Sequence, residues 1–269
     1  LSATNDDGQA WASQNPLDAA LARVPDALAD APASHDLLAL TSRGTARQTA
    51  PGYTTWTTLA TRQTLAGTPA GRHCDLQNLT AVAFTAASVP LLAGTCTRPG
   101  MAGIFVRTGS TWQATGPALP GTLARRPITV LRLTRTATVI AALLSAGTGP
   151  GASLLAAWSA DNGSTWTVSA PLPLSRAKVT ATSFGPGGET AVVLDGHQGE
   201  TASPGPGVTW QQLPALPRGT ATLAPGPQGD LDALAVDRTV LTVWQLAAGA
   251  GTWRAIQAIN VPIQFGTSG

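Results

Sequence analysis

The chain has 269 residues, of which only 11% are charged, against roughly a quarter in ordinary soluble domains. Sixteen Lys and Arg stand against fourteen Asp and Glu for a formal charge of +2, too little basic excess to point to a nucleic-acid partner. An apolar content of 43% excludes wholesale disorder, and 29 Gly with 21 Pro exclude a helical bundle.

In chain order, the first feature is a tryptophan series. Trp11, Trp56, Trp112, Trp166, Trp210 and Trp253 recur at intervals of 45, 56, 54, 44 and 43 residues. All but Trp11 follow a Thr, and a proline comes four or five residues later at Pro16, Pro117, Pro171 and Pro214. Residues 18–28 are the only stretch with helical character, one or two turns within a loop. Residues 79–84 and 89–93 alternate as strands and are flanked by the only cysteines, Cys74 and Cys96. A hairpin folded about Thr85 sets those two opposite one another, so a disulfide and an oxidising compartment are expected; the alternative is a pair of free buried thiols.

After Trp112, residues 128–133, 138–144 and 153–158 read as strands; after Trp166, residues 179–184 and 190–195, with a Gly-Pro-Gly-Gly turn between them and a polar stretch beyond. After Trp210 come residues 220–224, 231–236 and 240–246, and residues 263–269 could supply one more first strand. The longest apolar run, 139–146, falls well short of the roughly 18 residues of a membrane helix. No membrane insertion is expected within this chain. Its start at Leu1 reads as a processed or truncated chain, whose signal peptide or membrane anchor, if any, is no longer present.

About four short strands per period of 43–56 residues is the pattern of propeller blades, which bury their faces only against neighbours. The sharpest motif is Ser159-Ala160-Asp161-Asn162-Gly163-Ser164-Thr165-Trp166. Thr4-Asn5-Asp6-Asp7-Gly8-Gln9-Ala10-Trp11 has the same form, and residues 203–210 keep all but the Asp. These copies resemble the Asp-box, or BNR repeat, of sialidases and of sortilin-type and photosystem-assembly propellers. The resemblance implies an all-β fold: a six-bladed β-propeller of four-stranded antiparallel blades, one domain over 1–269, its ring closed by the termini. It also implies that Asp6, Gly8, Trp11, Asp161, Gly163 and Trp166 are structural, on the face opposite any binding site. In such a turn Gly supplies positive φ and Asp accepts from turn amides. The rival reading of Asp6/Asp7 or Asp161/Asn162 as calcium ligands lacks the carboxylate density a Ca²⁺ loop needs.

Propeller ligands sit on the face made by the interblade connections and the second-to-third-strand loops. Cations recur in those connections at Arg23, Arg72, Arg125, Arg126, Arg176, Lys178 and Arg218, and Arg98, His197, Glu200 and Arg238 fall in the other loops. A ring of guanidinium groups favours anionic ligands, because each pairs bidentately with carboxylate, sulfate or phosphate; the bland alternative is a solvated surface with arginine stems packed on tryptophan. Sialidase catalysis is not expected: the single Tyr53 sits beside Trp56, and only Glu189 and Glu200 are glutamates. A two-carboxylate glycosidase could be built from Asp195 and Glu200. His35, His73 and His197 show no zinc spacing, and no cofactor or metal is expected. The expected function is a non-catalytic, extracellular or cell-surface propeller that recognises a glycan or protein partner. Its rivals are a divergent glycoside hydrolase on acidic sugars and a self-associating subunit of a surface assembly.

Overall fold

The computed structural model describes residues 2–3, 12–13, 25–49, 55–119 and 121–261. Strands β1 (Ser2–Ala3) and β2 (Ala12–Ser13) pair with each other. Five antiparallel units of four strands follow. Blade I is β3 (Ala27–Asp30), β4 (Leu37–Thr41), β5 (Thr45–Thr49) and β6 (Trp56–Thr61). Blade II is β7 (Leu76–Phe84), β8 (Pro90–Cys96), β9 (Gly103–Thr108) and β10 (Thr111–Ala114). Blade III is β11 (Ile128–Arg135), β12 (Ile140–Ala146) and β13 (Ser153–Ser159), its outer edge split between β14 (Thr167–Val168) and β15 (Leu172–Pro173). Blade IV is β16 (Val179–Phe184), β17 (Thr190–Leu194), β18 (Gln198–Ala202) and β19 (Gln211–Gln212). Blade V is β20 (Thr220–Pro225), β21 (Leu231–Asp237), β22 (Val240–Leu246) and β23 (Arg254–Asn260).

Burial follows position within the blade. The second strands β8, β12 and β17 are buried along almost their whole length, and their sequences are mostly apolar, as in Ile140–Ala146. Outer strands β19 and β23 are exposed throughout. The first strands line the axis: Asp26, Thr80, Leu131, Arg132 and residues 179–182 enclose one cavity of about 350 Å³. Four of these first strands carry a register shift, which leaves Thr80, Leu131, Thr180 and Ala221 as extra residues. Such bulges sharpen strand twist. The Thr80 hydroxyl donates to Val130 O of blade III at 2.5 Å, and the Thr180 hydroxyl to Val193 O of the neighbouring strand at 3.2 Å.

Cys74 and Cys96 form a disulfide, with Cα atoms 5.2 Å apart. The expected pairing is present, but its geometry differs from a symmetric hairpin. Cys74 ends a helix, and Cys96 faces Leu76 because two bulges shift β7 against β8. A Cβ on Gly103 would lie 2.5 Å from Cys96 Sγ, so only glycine leaves room for the bridge.

Three sequence expectations need correction. Two short helices occur where none was expected, α1 (Arg62–Ala66) and α2 (Pro69–Cys74). Thr61 and Thr64 cap α1 reciprocally, Thr68 caps α2, and Pro69 opens it. Of the stretch 18–28, the described part enters strand β3 rather than a helix. The polar stretch after residue 195 contains the third strand of blade IV, β18, and so Glu200 lies in a strand and not in a loop. It is only 5% exposed, cross-strand from Val192 and Gln212. The turn at Trp11, with Asp6 and Gly8, and also Arg23 and Tyr53, lie outside the described residues. No helix among the described residues is long and apolar enough to cross a membrane.

Candidate functional site: the cationic loop face

The two ends of the blades are built differently. One end carries the first-to-second and third-to-fourth turns. There Asp161 Oδ1 accepts from the Ser159 hydroxyl and the Thr165 amide, both at 2.8 Å, and Oδ2 accepts from the Thr165 hydroxyl at 2.6 Å. These donors hold the Asp161 carboxyl well below the usual carboxylate range, at about 2, with the Thr165 hydroxyl the largest cause. The Gly163 amide donates to Ser159 Oγ at 2.7 Å. Gly163 has φ +96°, and a Cβ there would lie 2.7 Å from Thr115 Oγ1. Asn162 Oδ1 accepts from Ala86 N–H of blade II at 3.1 Å, so the turn also ties neighbouring blades together.

The opposite end carries the interblade connections and the second-to-third-strand loops, joined by backbone hydrogen bonds. Arg62 N–H donates to Gly44 O, Arg98 N–H to Cys74 O, and Gly100 N–H to Arg126 O. Further along, Gly147 N–H donates to Pro127 O, Leu174 N–H to Ala152 O, and Asp195 N–H to Lys178 O. This network places Arg72, Arg98, Arg125, Arg126, Arg176, Lys178, His197 and Arg218 at one end of their blades.

Their local settings differ. Arg72 is exposed on α2 and donates to Gly67 O; Arg98 meets His73 Nδ1 at 3.4 Å. Arg125 ends a 3₁₀ turn (Gly121–Arg125), and Arg126 donates to Gly151 O. His197 Nδ1 lies 2.9 Å from Asp195 O. Asp195 Oδ1 accepts from Lys178 N–H at 2.8 Å, whereas Glu200 Oε1 accepts from Gln198 Nε2 at 3.0 Å inside the sheet. The two carboxylates therefore have separate jobs, one in a turn and one within a sheet. Arg176 is unusual: it has φ +89° and follows Ser175 at φ +49°. Consecutive non-glycine residues in that region carry strain, and strain of this kind concentrates at functional sites.

Between blades III and IV this face opens into a cleft of about 730 Å³. Leu131, Leu154, Leu174 and Val179 form its apolar floor, the loop 147–150 one wall, and Arg176 and Lys178 stand among its lining residues. The floor belongs to a cluster that runs through Leu143, Val192 and Leu194 across the seam between the blades. The sequence displays the cations of this cleft but not its floor. Leu131 is a bulge residue, and no two-residue alternation reveals which way it faces. Arg132, on the axis with its Nε 3.2 Å from Thr182 Oγ1, is missed for the same reason. Among the described residues no group of three or more His, Cys, Asp or Glu could hold a metal ion.

No protein-family model matches the chain, and no curated protein is significantly similar to it. Solved structures do resemble it. YCF48 bound to D1 peptide superposes with a TM-score of 0.54 at 14% identity, over 87% of this chain and 68% of that one. A protein of the nidogen/laminin complex gives 0.52 at 11% identity, over 89% and 81%. A streptogramin B lyase gives 0.51 at 11% identity, over 88% and 68%. At these identities the likeness shows the fold alone: the chain folds as a β-propeller.

Proposed function

We propose that the chain is a non-catalytic binding propeller that works outside the cytoplasm and recognises an anionic glycan or protein partner on its cationic loop face. The observation that carries this reading is the segregation of the two ends. The turns at one end are occupied with tying strands and blades, as at Asp161, while the other end gathers cations, of which Arg72, Arg98, Arg176 and Lys178 are exposed. Two of the similar propellers are described with a bound peptide or protein, which supports partner recognition, and a third is a lyase, so the fold itself decides nothing. The disulfide supports an oxidising compartment.

We further infer one domain over 1–269 with six Asp-box-type repeats and a ring closed through both termini. Trp166, Trp210 and Trp253 donate their indole N–H groups to carbonyls three or four residues past the preceding repeat tryptophan. The indole N–H of Trp56 is buried with no partner among the described residues.

The test is binding to panels of neutral and acidic oligosaccharides and peptides at low and high salt, with product analysis of every hit. Acidic-selective capture that falls with salt, and is lost when Arg72, Arg98 and Arg218 become Glu, is expected. Salt-insensitive binding overturns the cationic face, and released product overturns the non-catalytic role.

A further inference from the structure

The cleft between blades III and IV unites three features: an aliphatic floor, two exposed cations, and a strained backbone where those cations begin. The floor of Leu131, Leu154, Leu174 and Val179 contains no aromatic side chain. Sugar faces stack on aromatic rings, and no aromatic residue lines this cleft. Aliphatic side chains beside carboxylates are a feature of peptides. The volume, about 730 Å³, falls within the range of sites that take small ligands and short segments.

Arg176 and Lys178 are exposed, and Asp195, the nearby carboxylate of the next loop, accepts through Oδ1 from the Lys178 backbone amide. The Ser175–Arg176 pair, both at positive φ, fixes the direction in which the chain presents Arg176. A guanidinium held this way suits bidentate pairing with a planar carboxylate.

We propose that this cleft binds an extended acidic peptide, with aliphatic side chains on the floor and an adjacent carboxylate at Arg176 and Lys178. The proposal rests on the anionic-partner reading above and names its ligand class and place. The carboxylate can come from an Asp or Glu side chain or from a chain terminus, and the two sources share one chemistry.

The experiment is fluorescence anisotropy with labelled hexapeptides. Ala-Ala-Leu-Leu-Asp-Asp is used as free acid and as C-terminal amide, with the amides of Ala-Ala-Leu-Leu-Asn-Asn and Ala-Ala-Ser-Ser-Asp-Asp as controls and hyaluronan oligosaccharides as competitor. The acidic, leucine-containing peptides are expected to bind, and the double variant Arg176→Gln/Lys178→Gln to weaken them by about tenfold or more. Arg254→Gln, on the exposed outer strand β23, is expected to leave them unchanged. Loss of binding on amidation assigns the carboxylate to the terminus; retention assigns it to the side chains. Equal binding by the double variant, or by the serine-containing peptide, overturns the cleft while leaving a cationic face in place. Binding of the oligosaccharide alone overturns the peptide and keeps the anionic partner. If nothing anionic binds, both fall. The two exposed substitutions are checked for unchanged melting temperature, so that lost binding reports on the site.

Discussion

The indole N–H of Trp166 donates to the backbone carbonyl of Thr115, 2.6 Å away in the chain just past blade II. Trp210 reaches Ala170 at 3.1 Å and Trp253 reaches Pro214 at 3.4 Å in the same manner. A repeat residue that looks like a packing group in the sequence is thus, at these three positions, also a polar link to the preceding blade.

Replacing Trp166 separates the two roles. Trp166→Phe keeps most of the packing against the blade II–III core and loses the link, which is expected to cost about 1 kcal/mol. Trp166→Ala loses both and is expected to cost about 3 kcal/mol, the lower end for large aromatics because the ring is only half-buried. Urea titration of both variants measures the difference, and equal costs would deny the link any role.

Asp161 gives stability a defined acid dependence. Its carboxyl is lowered from an ordinary value of 3.8 to about 2 by its turn donors, so the folded state favours the charged form. That contribution is complete above pH 4 and is lost as pH falls through about 2. Asp161→Asn is expected to flatten this part of the acid limb, measured as melting temperature from pH 5 to pH 2. A variant with an unchanged acid limb would count against the turn bonds.

The disulfide spans a sequence separation of 22. Cleaving a loop of that size is expected to remove about 3 kcal/mol, read as a lower melting temperature in reductant. Cys74→Ala/Cys96→Ala should be insensitive to reductant. Gly103→Ala should weaken the wild-type bridge region by about 1–3 kcal/mol, because the new Cβ collides with Cys96 Sγ.

The strained loop permits a trade between stability and ligand binding. Ser175→Gly relieves an unfavourable φ and is expected to stabilise the fold by up to about 1 kcal/mol. If the conformation serves to aim Arg176, the same change weakens acidic-peptide binding. A gain in melting temperature with unaltered affinity would separate the strain from recognition.

Much of the architecture is legible in the tryptophan spacing and the apolar runs, because second strands buried on both faces appear as mostly apolar sequence. Residues 128–133 and 231–236 fall within strands β11 and β21. The illegible parts have local causes. Helices α1 and α2 span five and six residues, too short for a helical period to develop, and their only signals are the Thr61, Thr68 and Pro69 caps. Strand β18 reads Gln-Gly-Glu-Thr-Ala, where burial comes from neighbouring strands rather than from its own composition. The cations of the loop face are visible in the sequence, but the cleft is not, since its floor depends on bulges and on packing across a seam.

Strand β8 hydrogen-bonds to β11 at Ile128–Cys96 and Thr129–Thr95, so blades II and III form one continuous sheet. Among the other described blades, neighbouring units remain separate sheets. A local opening at this junction must break backbone ladder bonds as well as side-chain contacts, and the disulfide anchors the same end of β8. Blades II and III should therefore exchange their amide protons as a single slow unit, while blades I, IV and V open independently and earlier. Blades II and III then act as a rigid keel, and the cleft beside blade IV lies along its margin, where one wall is held fast and the other is free to give.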